Sequence, residues 1–185
     1  MRYQILKIAI TTVLYCVLVS CSDNDVPQLI NEEELITTVE YTLTNDTDAT
    51  NVVVYKSVDA DGSGPEAPTL MTTGTLLANS TYSGTIRFLN ESVAPAENIT
   101  EEVQEESSEH EVFYATSIAG IAITKTDTDS DGNLLGLRTA LKTEAPGNGN
   151  LTIVLRHEPI KPNDNTLSGA AGETDAQVVY SLIIQ

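Results

Sequence analysis

Apolar and polar residues alternate with a period of two through most of the chain from Ile36 onward. In "TTVEYTLT", Thr37, Val39, Tyr41 and Leu43 fall on one face and Thr38, Glu40, Thr42 and Thr44 on the other. That is the pattern of a half-buried strand. "NVVVYKSV", "STYSGTIRFL", "VFYATSIAGIAIT", "LLGLRTALKT", "LTIVLRHE" and "QVVYSLIIQ" continue it with Val, Ile, Thr and Tyr, and "TLMTTGTLL" is a weaker member. Turn-forming stretches separate the runs: "TNDTDAT", "DADGSGPEAP", "DTDSDGN", "EAPGNGN" and "KPNDNTLSGAAGETD". About eight strands at hairpin-like spacing, without βαβ alternation or internal repeat, predict a mainly β protein, an antiparallel β-sandwich of immunoglobulin-like or fibronectin-like type.

One segment departs from period two. Across residues 96–108, Ile99 and Val103 lie four apart among glutamates, which predicts a short acidic helix or crossover held down by two aliphatic side chains. Glu102, Glu106 and His110 would share a second face if the helix reached that far.

The first residues follow a different rule. "MRYQILKIAITTVLYCVLVSC" places Arg2 and Lys7 before an apolar run, 8–17, that is too short to span a bilayer stably, and then Leu18, Val19, Ser20 and Cys21. The order of basic, apolar and small residues is that of an export leader, and the ending resembles a bacterial lipobox. The resemblance implies removal of residues 1–20, lipidation of Cys21 and anchorage in the lipid bilayer through acyl chains. Each buried methylene of such a chain contributes about 0.8 kcal/mol. Residues 21–35 then form a lipidated, acidic tether broken by Pro27, and residues 36–185 a single domain.

Charge narrows the partners. The chain has 9 Lys and Arg against 27 Asp and Glu, a formal −18, and losing Arg2 and Lys7 with the leader would make it −20. Such a surface repels nucleic acid and attracts cations or basic partners. Cys16 belongs to the leader and Cys21 to the anchor, so the expected mature domain offers neither a disulfide nor a zinc-thiolate site. The Ser-Asp start after Cys21 resembles export signals that carry lipoproteins to the outer face of the outer membrane.

Taken together, "EEELITTVEYTLT", "EHEVFY", "TDTDSDGNLLGL" and "LRHEPIKPND" resemble a family of small flavobacterial-type (Bacteroidota) outer-membrane lipoproteins, with likeness over nearly the whole mature chain. Some of its members carry the label of a type 1 periplasmic binding fold. That fold requires two α/β lobes with parallel sheets, which the period-two pattern contradicts.

Two stretches carry candidate chemistry. In "DTDSDGN", Asp127, Asp129, Asp131 and Asn133 alternate around Gly132 like the first half of a calcium loop, but Arg138 stands where an EF-hand needs a bidentate Glu. The other reading is an ordinary hairpin turn. In "TEEVQEESSEHEVFY", Glu106 and His110 are spaced to meet on a helix, and carboxylate plus imidazole suits zinc, copper, iron or nickel. The other reading there is a solvated acidic face that discourages edge pairing.

His157, the only other histidine, is the candidate third ligand for such an ion beside Glu106 and His110. If the runs beginning near Val112, Leu134 and Leu151 alternate up, down and up, His110 and His157 lie at opposite ends of the sandwich, roughly 20 Å apart. The same reasoning puts His157 nearer the 127–133 turn. Nothing resembles a nucleophile elbow, an HExxH or a phosphate loop, and Trp is absent.

These features lead to the expectation of a surface-exposed, non-enzymatic outer-membrane lipoprotein. It would bind a divalent cation (Zn, Cu or Ca) and accompany an outer-membrane transport barrel. The alternative is a structural or adhesive surface protein that binds a protein or glycan without a metal.

Overall fold

Where alternation is strongest, burial follows it. In β1, Thr38–Asn45, Tyr41 and Leu43 are fully buried while Glu40, Thr42 and Thr44 are half-exposed, and β2, Val52–Val58, repeats the pattern with Val53 and Tyr55 inside. β3, Thr69–Thr73, is exposed throughout and forms a sheet edge. β4 (Thr81–Leu89), helix α1 (Ile99–Glu105), β5 (His110–Thr116), β6 (Ala122–Lys125), β7 (Arg138–Lys142), β8 (Gly147–His157), the one-turn α2 (Leu167–Ala170) and β9 (Glu173–Ile184) follow. The computed structural model describes residues 35–62 and 65–185. The leader, Cys21 and most of the tether lie outside them.

The nine strands among the described residues form two antiparallel sheets, β3-β2-β1-β4-β7-β6 and β5-β8-β9. The fold is the expected antiparallel β-sandwich. Tyr41, Leu43, Tyr55, Phe88 and Leu141 of the larger sheet pack in one core with Val112, Leu151, Ile153, Tyr180 and Leu182 of the smaller. Full burial of such side chains contributes about 1.5–3 kcal/mol each. Tyrosines also bridge the layers: Tyr180 donates its phenol hydrogen to the Val39 carbonyl at 2.8 Å, and the Tyr41 and Tyr114 rings lie 5.3 Å apart.

The acidic connection is helical over a shorter span than the 96–108 expected. α1 buries Ile99 and Val103, as their spacing predicts, and Thr100 docks it on β4 by accepting from the Phe88 amide at 2.8 Å. It ends at Glu105, so His110 belongs to a strand.

Two runs are cut by glycines. "VFYATSIAGIAIT" reads as one strand but breaks into β5 and β6, with Gly120 at φ 84° in the turn. "LLGLRTALKT" is strand only in its second half; Gly136 has φ 95°, and a Cβ there would press on the Val112 carbonyl. The added reversal changes the direction of every later strand. β5 and β8 are therefore antiparallel neighbours.

Candidate metal centre

His110 opens β5 and His157 closes β8, and the two are directly opposite in the register. The expectation that they lie at opposite ends of the sandwich is therefore corrected, because the split of one run into β5 and β6 adds a reversal. The Glu158 amide donates to the Glu109 carbonyl at 2.7 Å, which makes 109/158 the hydrogen-bonded pair and 110/157 the closer, non-hydrogen-bonded one. Their rings stack with centroids 4.9 Å apart and planes 13° apart. His110 is fully buried, and the His157 side chain is 11% exposed.

Asp175 comes to this pair from β9 through an irregularity. Leu155 pairs with Ala176 but Arg156 with Thr174, so Asp175 is the extra residue of a β-bulge. A bulge bends its strand and re-aims a side chain. Here the carboxylate Oδ2 lies 3.7 Å from His110 Nε2 and Oδ1 lies 3.9 Å from His157 Nδ1, with the side chain 4% exposed. Both separations exceed direct hydrogen-bond length.

Spacing and tautomer suit a shared ion. One ligand atom from each of the three residues can be chosen so that all lie within 4.8 Å of one another. Nitrogen and oxygen ligands about 2.0–2.2 Å from zinc stand about 3.3–3.6 Å apart in a tetrahedron, so the set closes on an ion by a contraction of up to about 1.2–1.5 Å and a turn of one imidazole out of the stack. His110 Nδ1 lies 3.2 Å from the Glu106 carbonyl. A carbonyl only accepts, so this bond requires the Nδ1–H tautomer and leaves Nε2 with its lone pair in the neutral ring. A backbone acceptor behind a ligating imidazole is the usual orienting device at metal sites.

The residues expected from sequence are distributed differently. Glu106 serves His110 through its backbone oxygen, and its carboxylate is not in the ligand group. In the 127–133 turn, Asp129 Oδ1 accepts from the Asp131 and Asn133 amides at 3.0 and 2.8 Å, and Oδ2 from Lys161 Nζ at 3.1 Å. Burial pushes the Asp129 carboxyl up, but the Asn133 amide and the Lys161 ammonium outweigh it and hold it below the ordinary value. Asp127 Oδ1 accepts from the Gly136 amide at 2.9 Å, Asp131 is exposed, and Asn133 donates to Asp129.

Asp127 and Asp129 thus turn oxygens to the backbone of the turn and to Lys161. The turn lies near His110, which the corrected expectation places at the other end, since Lys161 Nζ also donates to the Ser107 and His110 carbonyls at 2.6 and 2.5 Å. Asp175 escaped sequence reasoning because "SGAAGETD" reads as turn chemistry. The available signal was the presence of two strand-end histidines, in "EHEVFY" and "LRHEP", that could be paired in register.

No protein-family model, curated protein or solved structure matches the chain. Among the described residues no helix is long and apolar enough to cross a membrane.

Proposed function

We propose that the protein is a lipid-anchored cell-envelope lipoprotein whose β-sandwich binds one divalent transition-metal ion between His110, His157 and Asp175. The observation that carries this reading is the convergence of three ligand side chains from three neighbouring strands, one of them re-aimed by a bulge. Two imidazoles and one carboxylate suit zinc, copper, iron or nickel, whereas calcium takes oxygen ligands. A ligand from solvent or from a partner would complete the coordination.

The centre is a binding device in this reading, without a reaction. Burial of the ligands strengthens the ion's attraction to the carboxylate and slows its escape to water. The formal −18 charge of the chain raises cation concentration near its surface. Anchorage through Cys21 would keep the domain at the outer membrane, beside a transport barrel to which an ion could be passed. That partner rests on the lipobox and the family resemblance.

Calorimetric titration of the chain with Zn²⁺ and Cu²⁺, beside His110→Ala, His157→Ala and Asp175→Asn, tests the site. One tight site per chain, lost or weakened at least tenfold in each variant, is expected. Weak multisite binding that all three variants retain would refute the centre. Incorporation of a labelled fatty acid that disappears in Cys21→Ser tests the anchor.

A further inference from the structure

We propose that the chain staples itself covalently: Lys125 Nζ and the side-chain carboxamide of Asn163 condense to an intramolecular amide, with Glu111 carrying the protons. The inference stands apart from the metal centre. Glu111 follows His110 in β5, and successive strand residues point to opposite faces, so the two constellations occupy different sides of the smaller sheet.

The three groups are already arranged around one carboxylate. Lys125 Nζ lies 2.6 Å from Glu111 Oε1, and Asn163 Nδ2 donates to Glu111 Oε2 at 2.7 Å. The nucleophile and the amide to be exchanged therefore sit on the two oxygens of the same side chain. The Asn163 carbonyl oxygen accepts from the Asn165 amide at 2.8 Å, which places a fixed donor where negative charge would develop. Asn163 Nδ2 also donates to the Ile160 carbonyl at 2.9 Å, which holds the carboxamide in this orientation.

Burial favours a neutral amine. The Lys125 and Glu111 side chains are 3% and 2% exposed. The Phe113 ring, 3.9 Å from Nζ, attracts the charged form and works against burial. Burial depresses the Lys125 ammonium below the ordinary lysine value; Lys161 adds to the effect and Glu111 opposes it. A buried lysine-glutamate pair is costly to desolvate, and a reaction that leaves neither charge behind removes that cost. A cavity of about 170 Å³ beside Glu111, Asn133, Leu134 and Asn163 gives ammonia an exit.

The step balances without an external reagent. Lys125 passes a proton to Glu111, and the freed Nζ lone pair attacks Asn163 Cγ while the carbonyl π pair moves to Oδ1, facing the Asn165 amide. Nζ gives a second proton, relayed through Glu111, to Nδ2. The Cγ–Nδ2 bond then breaks, ammonia leaves, the carbonyl re-forms, and Glu111 keeps one proton. Nothing is oxidised or reduced. Proximity of this kind replaces a bimolecular encounter with an intramolecular one. The product would tie β6 of one sheet to the segment after β8 of the other, in a domain whose sequence after residue 21 contains no cysteine.

Mass spectrometry of the full chain digested with trypsin tests this. Amidation blocks cleavage after Lys125, and Lys161 is followed by Pro162, so the expected product is one branched peptide. It joins residues 88–138 to residues 157–185, with the mass of the two less one ammonia. Lys125→Arg and Glu111→Gln should yield no branched peptide, while Asn163→Asp should yield the same one by losing water instead. Recovery of only unlinked peptides from the wild-type chain after prolonged incubation at neutral pH would overturn the proposal. So would a branched peptide that persists in Glu111→Gln. If Glu111→Gln does not fold, the wild-type and Asn163→Asp digests decide alone.

Discussion

His110 and His157 are cross-strand partners at the end of β5 and β8, with nearly parallel rings 4.9 Å apart and the Asp175 carboxylate within 4 Å of a nitrogen of each. An ion bound there would tie three strands together, so metal binding and folding stability are linked. Zn²⁺ at a hundred times its Kd should stabilise the chain by about 2.7 kcal/mol, read as a shift of the urea midpoint against a chelator control. His157→Ala should abolish the shift. It is the cleaner probe, because His157 reaches the surface while His110→Ala also opens a hole in a fully buried position.

How much of this was legible in the sequence depends on the kind of information needed. Period-two alternation recovered the faces of β1, β2 and β4, and the spacing of Ile99 and Val103 recovered the buried side of α1, because burial acts on each side chain locally. The candidate metal centre depends on strand parity. A single unrecognised turn at Gly120 reversed the predicted direction of β8 and separated two histidines that are in fact opposed. Asp175 depends on a one-residue bulge, which leaves no compositional trace in "GETD". A glycine inside an apolar run, Gly120, was the visible clue to the turn, and Gly136 offers the same clue for the late start of β7.

Acid should loosen the histidine end through Asp129. Its carboxyl is held below the ordinary carboxylate value of about 3.9, so its contribution is fully present above that pH and is lost as pH falls through the lower folded value. Asp129→Asn should flatten the dependence of stability on pH below about 4. At neutral pH it should cost about 1–3 kcal/mol, since Lys161 loses its charged partner in a buried position. Urea unfolding of both proteins as a function of pH checks this, and an identical acid slope in the variant would count against the assignment.

Val103 is half of the apolar docking of α1, because the helix is only two turns long and presents Ile99 and Val103 alone to the core beside the Thr100 bonds to Phe88. So short a helix has little stability of its own in water. Val103→Ala should therefore cost about 1–3 kcal/mol and raise hydrogen exchange across Ile99–Glu105 ahead of the sheets. Equal exchange in α1 and β1 would mean that the helix is fastened by something other than this contact.

Gly84 tests how tightly the larger sheet is fitted. It lies on the inner face of β4, opposite Leu43 of β1 and Thr139 of β7, and a Cβ there would collide with Thr139 Oγ1 and the Tyr41 hydroxyl. Those two groups form a buried 2.6 Å hydrogen bond across the strand. Glycine is present because the tyrosine occupies the volume a side chain would take. Gly84→Ala must either break the Tyr41–Thr139 bond or spread the strands, and overpacking together with a lost buried hydrogen bond costs about 2–4 kcal/mol. Tyr41→Phe in the same background removes one of the two groups the methyl would meet and frees the other, Thr139 Oγ1, from its hydrogen bond, so the double variant should recover part of the loss. A double variant destabilised by the full sum of the two single changes would show that the tyrosine is not what the methyl group meets.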